Sequence, residues 1–139
     1  MIILDTNVLS EVMKPAPAAE VLAWLAAQAA ASLYTTSITQ AEILHGLLLL
    51  PPGRRRRALE AAASSMFSED FGGRILGFGT EAAAPYAQIA SKRRRAGRPI
   101  SHFDAQIAAI ARACGAAVAT RNVADFEGCG VALVDPWRP

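Results

Sequence analysis

Short runs of apolar residues alternate along the chain with longer segments whose apolar residues recur at helical spacing. The short runs predict strands and the longer segments predict helices between them. The predicted strands cover Ile2 to Leu4, Leu33 to Thr36, Arg74 to Phe78, Ala116 to Ala119 and Val131 to Val134. This alternation predicts an α/β sandwich in which helices flank a short, mainly parallel central sheet.

Polar capping residues, prolines and glycines predict where the long helices begin and end. Ser37 with Gln40 forms a capping box, and Pro51-Pro52-Gly53 ends the helix that Ser37 begins. The predicted helices cover Ala18 to Ala31, Ser37 to about Leu50, Arg54 to Phe67, Thr80 to about Ala96, and Ser101 to Gly115. Without a repeat or a second compositional region, the 139 residues predict a single domain, 1–139.

Composition excludes several classes of protein. Hydrophobic residues make up 53% and charged residues 19%, which excludes a disordered chain. The N-terminal run Met1 to Leu4 has no basic segment before it and stops at an acid, so it is not a signal peptide. The uncharged stretch from Val21 to Ala41 is broken by polar side chains and does not predict a membrane span. We therefore expect a soluble, cytoplasmic protein that does not enter the membrane.

Two cysteines, Cys114 and Cys129, are too few for a disulfide scaffold and lack the spacing of a zinc site. We expect both to be reduced thiols packed in the interior.

Four acidic residues lie where a parallel α/β sheet forms its sites, at or just beyond the carboxyl ends of strands or early in helices. They are Asp5, Glu42, Asp104 and Asp125. Clustered carboxylates repel one another unless they are protonated or hold a cation. Hard oxygen ligands of this kind suit Mg²⁺ or Mn²⁺.

Each acid also has a purely structural interpretation. Asp5 fits the end of a strand or the cap of a short helix around Asn7 to Leu9. Asp104 completes the pattern Ser101-x-x-Asp that begins a helix. Glu42 fits a solvated helix position, and Asp125 fits a turn. Taken one at a time, these interpretations equal or outweigh a catalytic role.

The arrangement of these acids closely resembles that of the PIN-domain nucleases, and within them the VapC/FitB-like toxins of bacterial toxin–antitoxin pairs. The resemblance covers residues 1 to 137. It is carried by Asp5-Thr6-Asn7, Thr39 to Glu42 with Gly46 and Pro51, Arg98-Pro99-Ile100, Asp104 to Ala109, Ala119 to Asn122, Asp125-Phe126 and Val134 to Trp137. It implies a PIN-like three-layer sandwich. One departure is Gly79, where the resemblance leads us to expect an acid after the Ile75 to Phe78 strand.

The resemblance also implies roles for particular residues. Asp5, Glu42, Asp104 and Asp125 would form the metal-binding catalytic cluster, with one or two Mg²⁺ or Mn²⁺ ions per site. The neutral neighbours that orient them would be Thr6, Asn7, Thr120 and Asn122. A metal-activated water would hydrolyse RNA and leave 5′-phosphate and 3′-hydroxyl ends.

Other functions are compatible with parts of the sequence. A metal-free ribonuclease would use His45 and His102 as an acid–base pair. Glu42-x-x-His45 matches half of a di-iron motif, but the second copy is lacking. His45 is expected to be a partly buried helix residue, and His102 to lie at the surface or contact the antitoxin. Asn7 excludes an Asp-x-Asp phosphatase. The main alternative is a PIN-fold binding module that acts with its antitoxin as a DNA-bound autorepressor, with weak or no nuclease activity.

The formal net charge of +2 conceals two basic runs, Arg54 to Arg57 and Lys92 to Arg95, which hold eight of the fourteen cations. We expect at least one run to contact RNA phosphates or the partner, through Arg54 and Arg55 or Arg93 and Arg94, although a solvated helix face explains either run. The resemblance implies a homodimer and a cognate antitoxin, through which alone operator DNA would be bound. The apolar stretch Leu47 to Leu50 is a candidate anchor for that antitoxin or part of the core.

Overall fold

The computed structural model describes residues 1–139 as five strands and six α-helices. The strands are β1 (Ile2–Leu4), β2 (Leu33–Thr36), β3 (Ile75–Leu76), β4 (Ala117–Ala119) and β5 (Leu133–Val134). The helices are α1 (Thr6–Val12), α2 (Ala19–Ala26), α3 (Ser37–Leu48), α4 (Arg54–Ser65), α5 (Thr80–Arg95) and α6 (His102–Cys114). Short 3₁₀ turns at Ala30–Ser32 and Val123–Phe126 and a π-helical turn at Met66–Asp70 join them. None of the helices has the length and apolarity needed to cross a membrane.

The five strands form one sheet in the order β3-β2-β1-β4-β5, and every neighbouring pair is parallel. Strand β1 lies in the centre and pairs with β2 on one side and β4 on the other, with Ile3 opposite both Tyr34 and Val118. The chain thus builds outward from β1 in both directions. The direction in which strands are added to the sheet therefore reverses at β1. In open parallel sheets, ligands bind beside the carboxyl ends of the strands at such a point.

Two apolar cores lie on opposite faces of the sheet. Because successive strand residues point to opposite faces, Ile3 and Val118 belong to one core, while Leu4 and Ala119 belong to the other. The first core is completed by α5 and α6, and the second by α1 to α4. These layers form a three-layer α/β sandwich, which confirms the predicted fold class.

Several element boundaries differ from those predicted. The cap of α3 is Thr36 rather than Ser37: Thr36 still has extended strand geometry, and its hydroxyl oxygen accepts a hydrogen bond from the Thr39 backbone N–H at 3.1 Å. Helix α2 ends at Ala26 rather than Ala31, where Gln28 folds back and donates to the Trp24 carbonyl at 3.1 Å. The Trp24 carbonyl also accepts from the Ala27 backbone N–H at 3.2 Å, so both bonds close the end of the helix.

Two further expectations about the interior and the helix ends are only partly met. Cys129 is buried as expected, but Cys114 is exposed, because it is the last residue of α6 and lies just before the left-handed turn at Gly115. Helix α5 is preceded by Gly79 with no side-chain cap, so Thr80 is its first residue and not its cap. The acid in the first turn of that helix is Glu81.

Candidate active site

Asp5 stands at the carboxyl end of the central strand and serves two structural purposes at once. Its backbone N–H continues the β1–β4 pairing by donating to the Ala119 carbonyl at 3.0 Å. One carboxylate oxygen, Oδ1, accepts from the Thr6 backbone N–H at 2.8 Å and so caps α1. The other oxygen, Oδ2, accepts from the Thr120 hydroxyl at 2.9 Å. The helix cap is therefore also a site residue, and the two interpretations of Asp5 are compatible.

A network of neutral side chains from β4 and α1 fixes the orientation of the Asp5 carboxylate. The buried Thr120 hydroxyl donates to Asp5 and accepts from the Asn122 backbone N–H at 3.1 Å and the Asn7 amide at 3.3 Å. The Asn7 amide nitrogen lies 3.3 Å from Asp5 Oδ2, while its carbonyl oxygen accepts from the Arg121 backbone N–H at 3.1 Å. The loop after β4 is thus tied to the loop after β1.

Glu42 reaches the same place from α3. Its Oε1 accepts from the Thr6 hydroxyl at 2.9 Å, and that hydroxyl lies 3.2 Å from the hydroxyl of the buried Thr39. Thr39 stands one helical turn before Glu42, where it links the site to the start of α3. Thr39 is therefore a further supporting residue of the site, indicated in the sequence only by its position three residues before Glu42.

Asp104 is the third residue of α6, where its backbone N–H donates to the Ser101 hydroxyl at 3.1 Å. The predicted helix start at Ser101 is therefore confirmed. Asp125 lies in the 3₁₀ turn after β4, is exposed, and donates its backbone N–H to the Asn122 carbonyl at 3.0 Å.

Three of the four predicted acids line one open pocket of about 410 Å³ at the carboxyl edge of the sheet. Asp5, Glu42 and Asp104 come from three segments that are distant in the chain, and Thr6, Asn7 and Asn122 also line this acidic pocket. Thr120 lies beneath it. Asp125 does not line it.

Burial and mutual repulsion raise the pKa of all three lining acids. For Asp5, burial raises the pKa most; hydrogen bonds from Thr6 and Thr120 oppose this, and the charges of Glu42 and Asp125 add to it. Burial also raises the pKa of Glu42, with a smaller contribution from Asp104. Burial raises the pKa of Asp104, followed by the charges of Asp5 and Asp125. Asp125 is therefore close enough to act electrostatically on the pocket.

The donor chemistry of the acidic pocket fits a hard divalent cation. The three acids offer only oxygen ligands, and their raised pKa values, caused first by burial and then by neighbouring carboxylates, mean that the ionised forms are disfavoured in the metal-free pocket. No three Asp, Glu, His or Cys side chains lie close enough together to hold a metal ion among them. Mg²⁺ keeps several waters and binds through only one or two carboxylates, so an open set of this kind suits it.

Sequence reasoning missed the residues on the rim of the acidic pocket. Lys14 and Arg121 bring two cations to it, and Trp137 lies under the Arg121 guanidinium, 5.0 Å from the ring centroid. Glu11 is buried and accepts from Lys14 at 3.0 Å and from the Ala18 backbone N–H at 3.0 Å. The hydrogen bond from Lys14 is the main reason why the pKa of Glu11 is lowered. The sequence does indicate Arg121 as a residue near the site, because it stands between the predicted site residues Thr120 and Asn122.

Among the predicted basic contacts, Arg54, Arg55 and Arg94 are exposed, but Arg93 is buried. The prediction that Arg93 contacts RNA or a partner is wrong: its side chain points inward and binds backbone carbonyls.

Neither histidine lines the acidic pocket. His45 is exposed rather than partly buried, because it faces away from the Ile43 and Leu47 side of α3. His102 is at the surface as expected, with its Nδ1 2.7 Å from the Tyr86 hydroxyl.

The fold is a parallel α/β sheet with carboxylates from β1, α3 and α6 at one edge. The PIN domain family model matches residues 2–127. The chain belongs to the PIN-domain family.

Within this family the chain is similar to toxins. It is 40% identical to VapC ribonuclease Y4jK of Sinorhizobium fredii over 100% of this chain and 99% of the relative. It is 39% identical to toxin FitB of Neisseria gonorrhoeae over 99% of each chain. A solved structure of FitAB bound to an IR36 DNA fragment, 39% identical, superposes with a TM-score of 0.93 and covers 100% of this chain and 97% of that one. The predicted resemblance is confirmed.

Proposed function

We propose that this chain is the toxin of a toxin–antitoxin pair and acts as a metal-dependent endoribonuclease in the cytoplasm. The convergence of Asp5, Glu42 and Asp104 in one pocket carries this proposal, since a hydrated Mg²⁺ or Mn²⁺ would bind through one or two of these carboxylates. The full-length similarity to a chain named as a VapC ribonuclease supports RNA as the substrate.

The acids would hold one or two Mg²⁺ or Mn²⁺ ions, with Asp125 joining Asp5, Glu42 and Asp104. When bound, such an ion neutralises charge on a phosphodiester and activates water, so that hydrolysis leaves 5′-phosphate and 3′-hydroxyl ends. Thr120 and Asn7 hold the Asp5 carboxylate in a fixed orientation, and Thr6 does the same for Glu42. Preorganised ligands of this kind lower the cost of assembling the site.

Cations around the acidic pocket would bind the RNA backbone. Lys14 and Arg121 lie on its rim, where a phosphate next to the scissile one would pass. The exposed Arg54, Arg55 and Arg94 lie farther along the surface and would add sequence-independent affinity for RNA or for the partner.

An apolar groove next to the acidic pocket supports binding of an antitoxin. The groove encloses about 620 Å³ and shares Thr6, Ser10, Lys14 and Glu42 with the acidic pocket. Its apolar lining is made of Met13, Pro15, Ile43, Leu47, Ala58 and Leu59. A peptide segment lying in the groove would reach the carboxylates, where an arginine would pair with them. Of the stretch Leu47 to Leu50, only Leu47 lines the groove, whereas Leu48 and Leu49 are 60% and 72% exposed.

A homodimer and operator binding through the antitoxin complete the proposal. Leu44 and Leu48 on α3 and Leu49 directly after it are exposed apolar side chains, which favours association. Size-exclusion chromatography with light scattering would test the dimer.

The decisive experiment is cleavage of end-labelled RNA by antitoxin-free protein with Mg²⁺ or Mn²⁺, with EDTA, and with the Asp5→Asn and Glu42→Gln variants. We expect cleavage to need the metal and both carboxylates and to leave 5′-phosphate ends. His45→Ala is the matched control and should cleave normally, since His45 lies outside the acidic pocket. Cleavage in EDTA, or cyclic phosphate ends, would refute the mechanism.

The alternative is a binding module that acts mainly as half of a DNA-bound repressor. It is favoured by one observation, the close superposition on FitAB bound to DNA. The two functions are separated by the same assay: folded, metal-loaded protein that cleaves no RNA but binds operator DNA with its antitoxin would favour the repressor.

A further inference from the structure

Arg93 is a buried cation in the middle of an exposed basic run. It is 7% exposed, while Lys92, Arg94 and Arg95 beside it are exposed. Its Nε donates to the Arg98 carbonyl at 2.7 Å. Its Nη1 donates to the carbonyls of Asp125 and Glu127 at 2.8 and 3.1 Å. Arg93 therefore joins the end of α5 to the segment that carries Asp125.

This guanidinium has no carboxylate partner, which is unusual for a buried charge. Backbone carbonyls satisfy it instead, together with a long 3.9 Å contact to the Cys129 sulfur. The charge of Arg93 lowers the pKa of Asp104, against the larger effect of burial, which raises it.

Arg93 completes a three-point attachment of residues 122–129. At one end the Asn122 backbone N–H donates to Thr120, the residue that also binds Asp5. In the middle the Phe126 side chain is 1% exposed in the core with α6. At the other end Cys129 is buried in the same core, Arg93 binds the carbonyls of Asp125 and Glu127, and the exposed Arg98 lies 3.3 Å from both the Ala124 carbonyl and the Glu127 carboxylate.

We propose that Arg93 is a positioning residue that holds Asp125 beside the acidic pocket, and that metal binding at the pocket depends on it for this reason. The inference rests on the proposed function, because it assigns Asp125 to that same site. The planar guanidinium directs donors to three carbonyls on two segments. A lysine at this position would keep the positive charge but would lose the fixed, planar arrangement of N–H donors.

The test compares Arg93→Gln and Arg93→Lys with two controls in the full chain. Arg94→Gln removes the same charge from an exposed neighbour, and Val21→Ala lowers global stability from the opposite core. Amide hydrogen exchange of residues 122–130 is measured without metal. We expect exchange in Arg93→Gln to be faster by about tenfold or more, since even one hydrogen bond from a charged donor has that effect on local opening. Arg93→Lys should be intermediate, and both controls should match the wild type.

Mn²⁺ binding, followed by electron paramagnetic resonance, tests the link to Asp125. We expect Arg93→Gln to weaken Mn²⁺ affinity by roughly 10–100-fold. In an Asp125→Asn background, Arg93→Gln should cause no further loss, because the group it positions is already gone. Independent, multiplicative losses would overturn the proposal, as would unchanged exchange of residues 122–130 in Arg93→Gln. A wild-type protein that binds no Mn²⁺ would refute both the metal site and its dependence on Arg93; unchanged RNA cleavage by Arg93→Gln would refute only this inference.

Discussion

Replacing Thr120 by valine removes one hydroxyl and keeps the shape of a fully buried side chain. That hydroxyl donates to Asp5 at 2.9 Å and accepts from the Asn122 backbone N–H at 3.1 Å and the Asn7 amide at 3.3 Å. Thr35→Val is the matched control, because Thr35 is equally buried in the same sheet but makes one hydrogen bond, to the Leu4 carbonyl at 3.1 Å.

The expected free-energy changes follow from these contacts. A hydrogen bond to a charged group contributes about 1.5–3 kcal/mol and a neutral one about 1 kcal/mol. Thr120→Val should therefore lower the free energy of unfolding by about 2–4 kcal/mol at pH 8, and Thr35→Val by about 1 kcal/mol. The effect of Thr120→Val should shrink at pH 4, because protonation of Asp5, whose pKa is raised, removes the charge that Thr120 stabilises.

Urea denaturation in EDTA measures both variants. With a slope of about 1.5 kcal/mol per molar urea, the midpoint should fall by roughly 1.5–2.5 M for Thr120→Val and by less than about 1 M for Thr35→Val. Equal shifts of the two midpoints, or a Thr120→Val effect that does not change with pH, would show that the network beneath Asp5 does not hold its charge.

Three further outcomes are expected. Asp104→Asn should stabilise the metal-free protein by about 0.5–2 kcal/mol at pH 8, because a carboxyl with a raised folded-state pKa destabilises the fold once pH rises above its unfolded-state pKa; melting curves at about pH 3, where both states are protonated and wild type and variant should agree, are the control. Phe126→Ala should lower the free energy of unfolding by about 3–5 kcal/mol in urea, and a loss under 1 kcal/mol would contradict its burial. Replacing Arg54 and Arg55 by glutamine should reduce the salt dependence of RNA binding, by about 0.7 in log–log slope for each phosphate that is no longer neutralised; an unchanged slope would remove this surface from the RNA path.

Much of the fold follows from local pattern. The apolar runs Ile2 to Leu4 and Ala116 to Ala119 predicted two central strands, because a strand buried on both faces has no polar positions. Ser101 and Pro51 marked helix ends correctly. Asp5, Glu42 and Asp104 line one pocket because a parallel sheet brings the carboxyl ends of its strands to one edge, whereas Asp125 does not line it.

What the sequence did not predict depends on tertiary contacts. Arg93 is one of four consecutive cations in the sequence. Its side chain points inward because the turn that carries Asp125 lies against the end of α5 and offers it a backbone carbonyl. The sequence predicts a buried environment for both Cys114 and Cys129. Cys114 is exposed, however, because it lies at the end of α6. Lys14 and Trp137 lie apart from the predicted site acids in the chain, and folding alone brings them to the rim of the pocket.

The central position of β1 has a consequence for the order in which the protein becomes active during synthesis. Asp5 and Glu42 leave the ribosome early, but Asp104 and the hydroxyl of Thr120 come from the last third of the chain, and β4 can pair with β1 only after α6 has been translated. Helix α6 therefore brings the last of the three carboxylates that line the pocket, and the residue after β4 brings the hydroxyl that orients Asp5. A nascent chain that has not yet released α6 and β4 lacks Asp104 and Thr120, so the carboxylates of the pocket cannot act together until these elements have folded.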